Sequence, residues 1–188
     1  MNNLPNLIVR LSQDPFNSDL NFDVAEEYLL HNQTASAVSF YLRCVEYAPP
    51  TSPKGYTSLL RMAQCFHDQQ GRELSVTNCL LQAVAYDDTR PEAYFKLSEY
   101  FERAGQWQES YTWAIMGEGW SNAKPEPLPA NIGYAGSYCL LFQRSIAAWW
   151  IGRKDESLAG LKVLSALNLN QMYRDAVNYN LEKLNALL

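Results

Sequence analysis

The sequence lacks both an apolar run that could cross a membrane and the basic, then apolar, opening of a secretion leader. Its longest apolar run, residues 146–151, is far shorter than the roughly 18–20 residues that a spanning helix needs. The opening residues carry neither a basic stretch nor a long apolar one. We therefore expect a protein that is made and kept in a cytoplasm and that has no membrane partner.

Closely spaced cysteines and catalytic motifs are also lacking. The sequence contains no Cys-x-x-Cys pair, no Gly-x-Ser-x-Gly turn, no His-Glu-x-x-His pair and no glycine-rich phosphate loop. We expect the chain to be no enzyme and to bind no metal ion or cofactor. The four cysteines are expected to be small, reduced core residues: Cys44, Cys65, Cys79 and Cys139.

Positive charge is scarce as well. The 15 Lys and Arg residues are scattered among 20 Asp and Glu residues, and the net charge is −5. Proteins that bind nucleic acid through its phosphates group their basic residues on one face, and anionic membranes attract the same kind of patch. The composition therefore argues against both partners, whereas its 47% hydrophobic residues are typical of a folded domain.

What the sequence does contain is a repeated turn between two apolar helical segments. Gly71 and Gly105 lie 34 residues apart, and Gly152 marks a later turn of the same kind. Asn32 stands at the equivalent place in an earlier unit, because asparagine also tolerates a left-handed backbone. A period of 34 residues with two helices per unit is typical of tetratricopeptide repeats.

The clearest unit spans residues 91–117. Pro91 suits the first turn of a helix, and Gly105 suits the turn that ends it. Aromatic, leucine and small residues fall where the repeat pattern requires them: Tyr94, Leu97, Ser98, Phe101, Trp107, Ser110 and Ala114. The small residues predict that the two helices of this unit approach each other closely.

We predict a single all-α domain over residues 1–188, a right-handed superhelical solenoid of about four helix pairs. The pairs are placed at 18–50, 56–88, 91–117 and 138–167, and a capping helix at about 171–188. The period breaks at an inserted loop, residues 118–134, which has prolines at alternate positions. That spacing predicts a stiff, extended path that cannot join a helix.

The stretch at 90–103, RPEAYFKLSEYFER, followed by QWQESY at 106–111, resembles tetratricopeptide regions attached to family-2 glycosyltransferases. Such regions occur in bacteria and in tailed bacteriophages, cyanophages especially. The resemblance continues at 134–138 and 141–157, touches 34–43, and covers about 17–184 in all. Those enzymes hold a metal on the sugar nucleotide with an Asp-x-Asp motif, which this sequence lacks. The resemblance therefore implies an accessory or detached module, located in the host cytoplasm if the chain is phage-encoded.

Three acidic residues on the first helices of the pairs are candidate partner-binding residues: Glu26, Glu99 and Glu102. The first helices of successive pairs stack side by side in such solenoids, so these carboxylates should line one concave groove. That groove would suit a basic or mixed polar and apolar partner segment. The alternative is that all three are ordinary solvated charges.

Aromatic residues form a second candidate set. Trp149 and Trp150 are neighbours on one helix and cannot both face the same core, and Trp120 enters the inserted loop. We expect an exposed patch of Trp120, Tyr134 and either Trp149 or Trp150. The alternative is that the loop covers these rings and forms a small satellite core.

These features predict a non-catalytic protein–protein interaction scaffold. The resemblance implies that its partner is a glycosyltransferase or the acceptor protein of that enzyme. The alternative is a structural or assembly component of a bacteriophage particle, with a virion protein as partner.

Overall fold

The computed structural model describes residues 3–121 and 123–186, and these residues form ten α-helices and no strand. In chain order the helices are α1 (Leu4–Gln13), α2 (Ser18–Leu30), α3 (Thr34–Tyr47), α4 (Pro53–Gln69), α5 (Glu73–Tyr86), α6 (Pro91–Arg103), α7 (Trp107–Glu118), α8 (Tyr138–Trp150), α9 (Lys154–Ser165) and α10 (Gln171–Asn185). Position 122 of the insertion and the predicted end of the capping helix at 187–188 lie outside the described residues.

A left-handed residue separates the two helices of every pair. The backbone angle φ is 58° at Asn32, 64° at Gly71, 71° at Gly105 and 84° at Gly152. A side chain makes this conformation unfavourable for most residues, so glycine and asparagine are the residues that supply it. The four pairs that these turns create are α2–α3, α4–α5, α6–α7 and α8–α9.

The helices belong to two compact units. The first unit comprises Met1–Asp88 together with Pro125–Ile132, and the second comprises Thr89–Lys124 and Gly133–Leu188. The stretch 125–132 of the insertion therefore belongs to the first unit, although the residues on either side of it belong to the second. The prediction of a single domain over the whole chain stays a prediction.

In the first unit, α1 is a helix that was not predicted from the sequence. Leu7 and Leu11 lie one turn apart and pack against Leu20 and Val24 of α2. The expected count of four pairs and a cap is corrected accordingly, to four pairs, the cap and α1. This helix escaped prediction because it has no partner helix of its own and no left-handed turn residue.

In the second unit, the helix pairs approach each other at small residues. Ala114 is fully buried, and a Cβ atom at Gly117 would lie 2.7 Å from Cβ of Tyr94 and 2.9 Å from Cδ2 of Leu140. A Cβ atom at Gly160 would meet the hydroxyl of Ser145 in the same way. Glycine at these positions is therefore what lets α7 lie against α6 and α8, and α9 against α8.

Helix α10 closes the second unit at its C-terminal side. Its inward face, Tyr173, Val177 and Leu184, joins the same buried cluster as Leu161 and Leu164 of α9. The side chain of Asn170 accepts a hydrogen bond from the backbone N–H of Tyr173 and so caps the start of the helix. Without α10, the outer face of α9 would expose these leucines to water.

Candidate functional site

The first helices of the pairs, which we call the A helices (α2, α4, α6 and α8), are neighbours within each unit. Helix α2 contacts α4 in the first unit, and α6 contacts α8 in the second. The second helices of the pairs (α3, α5, α7 and α9) are the B helices. The acidic candidates Glu26, Glu99 and Glu102 were predicted to lie on a surface made by adjacent A helices.

Glu26 is held by groups from two other helices. Nε and Nη2 of Arg61 on α4 donate hydrogen bonds to its two carboxylate oxygens at 3.0 and 3.2 Å. The hydroxyl of Tyr41 on α3 donates a third. Burial raises the pKa of Tyr41, and its hydrogen bond to Glu26 raises it further, so the hydroxyl remains a donor. Glu26 therefore ties α2, α3 and α4 together rather than standing as a solvated charge.

A second ionic contact joins the same two A helices. Nζ of Lys54, in the first turn of α4, lies 3.2 Å from Asp23 and 3.4 Å from Asp19 on α2. The same ammonium group sits 5.5 Å from the ring centre of Phe22. The A helices of the first unit therefore meet through three carboxylates, Asp19, Asp23 and Glu26, and two cations, Lys54 and Arg61.

Glu99 and Glu102 lie three residues apart on α6 and so share one side of that helix. Glu99 contacts Nζ of Lys96 at 2.9 Å and Nη2 of Arg103 at 2.7 Å. Burial raises the pKa of Glu102, the nearby Glu99 adds to the increase, and a hydrogen bond from Gln143 of α8 lowers it. The structure thus brings these two candidates together. Their common groove with Glu26, which belongs to the other unit, stays a prediction.

The aromatic candidates divide among three places. Trp150 stacks on Trp107, with ring centres 5.1 Å apart and planes 16° apart, and it is 61% exposed. Trp149 packs on the core of the second unit, with Nζ of Lys154 4.9 Å from its ring centre. Tyr134 packs on the ring of Phe95, at 5.5 Å between centres.

Because Trp150 lies on Trp107, it does not join Trp120, and the predicted patch of Trp120, Tyr134 and Trp149 stays a prediction. Trp107 begins α7 and Trp120 follows its end, so the two are separated by the length of a 12-residue helix, about 18 Å. Helix α8 returns its last residues to the start of α7, which takes Trp150 away from Trp120. Tyr134 precedes α8 and so lies at the opposite end of that helix from Trp149.

Sequence reasoning missed an ionic network that joins α7, α8 and α9. Nη1 of Arg144 contacts Glu118 at 2.5 Å, and Nε of Arg144 lies 3.6 Å from Glu156. The hydroxyl of Tyr111 donates to Glu156 at 2.8 Å and accepts from Arg153 at 2.7 Å. These partners are 12 to 45 residues apart in sequence, so no local motif signals them.

Beside this network lies an open cleft of about 310 Å³. Its lining mixes charged, hydroxyl and apolar groups: Glu118, Ser121, Ser137, Tyr138, Leu141, Arg144 and Leu167. Burial raises the pKa of Glu118, while the adjacent Arg144 lowers it. Arg144 is already engaged by two carboxylates, and these contacts join the three helices beside the cleft.

Within residues 3–121 and 123–186, no three His, Cys, Asp or Glu side chains are grouped as metal ligands. In the same part of the chain, every helix is too short or too polar to cross a bilayer. The four cysteines are buried and unpaired, as predicted.

Comparison with known proteins shows likeness in structure but not in sequence. No protein-family model matches the chain, and no curated protein matches it. The structure of MamA has 14% sequence identity and a TM-score of 0.63, over 85% of this chain and 82% of that one. YrrB, described as a TPR protein with an unusual peptide-binding site, has 9% identity and a TM-score of 0.63, over 94% and 81%.

A third likeness is to a Podosopora anserina protein with nearly identical TPR-like repeats. It has 17% identity and a TM-score of 0.58, over 93% of this chain and 85% of that one. The fold is that of tetratricopeptide-repeat proteins. The predicted fold class, an all-α tetratricopeptide-like solenoid, is thereby confirmed.

Proposed function

We propose that the chain is a non-catalytic protein–protein interaction scaffold whose A helices hold an extended segment of a partner protein. The observation that carries this proposal is the direct contact of α2 with α4, and of α6 with α8, within the two units. Adjacent A helices give a surface with a regular spacing of side chains, which an extended peptide can follow from helix to helix. The likeness to YrrB, itself described as peptide-binding, adds support.

The chemistry of the A helices indicates which segments fit. In the first unit, Glu26 and Arg61 neutralise each other, as do Lys54 and Asp23. In the second, Glu99 is matched by Lys96 and Arg103. A surface on which most charges are paired gives neither a highly acidic nor a highly basic partner a strong advantage. It favours a segment of mixed polar and apolar residues.

For the identity of the partner we propose a glycosyltransferase or the acceptor protein of such an enzyme. The support is the resemblance of residues 17–184 to tetratricopeptide regions attached to family-2 glycosyltransferases, together with the missing Asp-x-Asp motif. The chain would then position a separate catalytic protein rather than carry out transfer itself.

Site-specific photocrosslinking tests the scaffold and its partner together. A photoreactive amino acid would replace Gln64 on the A helix α4 or, as a matched control, Gln82 on the B helix α5; both residues are exposed. We expect a partner to be captured at position 64 and not at 82, and mass spectrometry to identify it as a glycosyltransferase or its acceptor. Equal capture at both positions, or none at 64, would contradict the scaffold. Capture of a virion protein, with the chain present in purified particles, would replace the proposed partner by the phage-particle alternative.

A further inference from the structure

The segment 125–132 of the insertion belongs to the first compact unit, although the residues on either side of it belong to the second. From Pro127 onward, its residues alternate between exposed and half-buried: Leu128, Ala130 and Ile132 are half-buried, and Pro127, Pro129 and Asn131 are exposed. Successive side chains of an extended chain point to opposite sides. The half-buried and the exposed side chains therefore lie on opposite edges of this segment, which belongs to the first unit.

The prolines make this segment a low-entropy ligand. Pro125, Pro127 and Pro129 restrict their own backbone and that of the residues before them, and 123–128 form neither helix nor turn. A chain that is stiff and extended before it binds loses little conformational freedom on binding. This property suits a segment that has to occupy a surface and also leave it.

The residues that follow this segment, Gly133 and Tyr134, belong to the second unit and contact the A helix α6. A Cβ atom at Gly133 would lie 3.4 Å from Nζ of Lys96 on α6, and the ring of Tyr134 lies on that of Phe95. Phe95 is only 2% exposed. It stands ten residues before the left-handed Gly105, and Phe22 of α2 likewise stands ten residues before the left-handed Asn32. Phe22 is buried too, and so is Leu60 in the next A helix, which stands eleven residues before Gly71.

We propose that residues 125–132 are a built-in occupant of the A helices of the first unit, bound where a partner peptide would otherwise bind. The inference rests on the proposed peptide-binding function and adds its regulation and its ligand class. A partner then has to displace this segment. To do so it presents the same chemistry, an extended stretch with prolines at alternate positions and small or aliphatic side chains between them.

The tether at both ends sets the strength of this competition. A segment linked through short connections is present at an effective concentration in the millimolar range. A free peptide of the same sequence is therefore expected to bind the intact chain about 10- to 100-fold more weakly than a chain without the segment.

The test uses the full chain with residues 125–132 replaced by eight glycine and serine residues, which keeps the length of the insertion. The probe is a labelled peptide of residues 124–133, KPEPLPANIG, and binding is followed by fluorescence anisotropy and by NMR into the millimolar range. We expect the peptide to bind the replaced chain at least about ten-fold more tightly than the intact chain. Helix content and unfolding midpoint are expected to be those of the intact chain.

Two control peptides test the half-buried edge of the segment. A peptide with Leu128→Ser and Ile132→Ser changes the half-buried edge and should lose binding, whereas Lys124→Ser changes an exposed side chain and should retain it. Loss of both, or of neither, would contradict the bound geometry. A second full-length variant, Leu128→Ser with Ile132→Ser, keeps the prolines of the insertion and so controls for any effect of the glycine–serine replacement itself. It should also gain affinity for the parent peptide.

Three results would overturn the proposal. They are equal affinity of the peptide for intact and replaced chains, no binding to a folded replaced chain, and unfolding of both full-length variants. The last would make the segment a structural cover. If no partner is crosslinked at position 64 but the peptide binds as expected, the proposed partner is rejected and the competition by residues 125–132 is retained. If a partner is crosslinked at position 64 but the peptide does not bind as expected, only the competition by residues 125–132 is rejected.

Discussion

At the scale of single residues, the close approach of helices in the second unit depends on glycine, which has no side chain to keep them apart. Gly117 touches both Tyr94 and Leu140 across two helix contacts, and no larger residue fits there without movement of its neighbours. Gly119, two residues later, is exposed and has an ordinary φ of −56°. These two glycines form a matched pair for measuring how tightly this region is packed.

We expect Gly117→Ala to lower the free energy of unfolding by about 1–3 kcal/mol, because the added methyl group overpacks the seam. Gly119→Ala should change it by less than about 1 kcal/mol, since its Cβ atom would meet only the carbonyl oxygen of Met116, at 3.3 Å. Urea denaturation followed by circular dichroism measures both. Equal effects at the two positions would mean that α7 does not approach α6 and α8 as described.

The half-buried Glu102 makes stability depend on pH. Because burial raises its pKa, the folded chain binds the proton more tightly than the unfolded chain does. The stability that this group contributes is complete below the pKa of the unfolded chain, about 4.3, and is lost as the pH rises through the folded pKa.

Glutamine cannot ionise and keeps the shape of the side chain, so Glu102→Gln should gain stability relative to the parent as pH rises from about 4 to about 7. The exposed Glu109 on α7 supplies the control, and Glu109→Gln should show no such trend. Chemical unfolding at both pH values measures the difference. A constant difference between Glu102→Gln and the parent would show that Glu102 is solvated in the folded chain.

At the scale of helices, α10 is the element on which the C-terminal core depends. Val177 is 1% exposed and packs in the cluster that includes Leu161, while the adjacent Asn178 is exposed. Val177→Asp should lower the free energy of unfolding by about 3 kcal/mol or more, because it buries an unpaired charge. Asn178→Asp introduces the same group at the surface and should have little effect. Thermal unfolding compares them, and similar midpoints would mean that α10 does not cap the stack.

The helix pairs could be predicted from the sequence because their signals are local. A left-handed residue at Gly71, Gly105 or Gly152, with apolar residues at helical spacing on both sides, specifies two helices and a turn. Even so, α4 begins at Pro53 rather than at the predicted 56, and α1 was missed because it lacks such a turn.

The candidate site was less predictable because its contacts are tertiary. The pairing of Glu26 with Arg61 joins residues 35 apart, and charge pairs of that separation leave no pattern in the sequence. The expected place of Trp150 in the aromatic patch was wrong for a related reason. Proximity in sequence to the insertion suggested that Trp120 and Trp150 would meet, whereas the direction of α8 places Trp150 on Trp107.

At the scale of the whole molecule, the net charge of −5 bears on partner binding. If a captured partner binds through the A helices with a basic or mixed segment, its affinity should fall as salt rises, because exposed charges are screened within about 8–10 Å. Isothermal titration calorimetry at several salt concentrations measures the slope. Glu99→Gln with Glu102→Gln should flatten it, whereas Glu46→Gln with Glu73→Gln, exposed residues of B helices, should not. The opposite outcome would move the binding surface to the B helices.

The burial of the cysteines has a practical consequence for dye labelling. All four thiols are buried, and burial raises their pKa values, to about 11 for Cys65 and Cys79. The thiolate is the form that reacts with maleimides, so the folded chain is already inert to them without any cysteine being removed. One cysteine introduced at the exposed Asn131 would therefore carry a fluorophore alone, and the insertion could be followed by single-molecule spectroscopy in an otherwise native sequence.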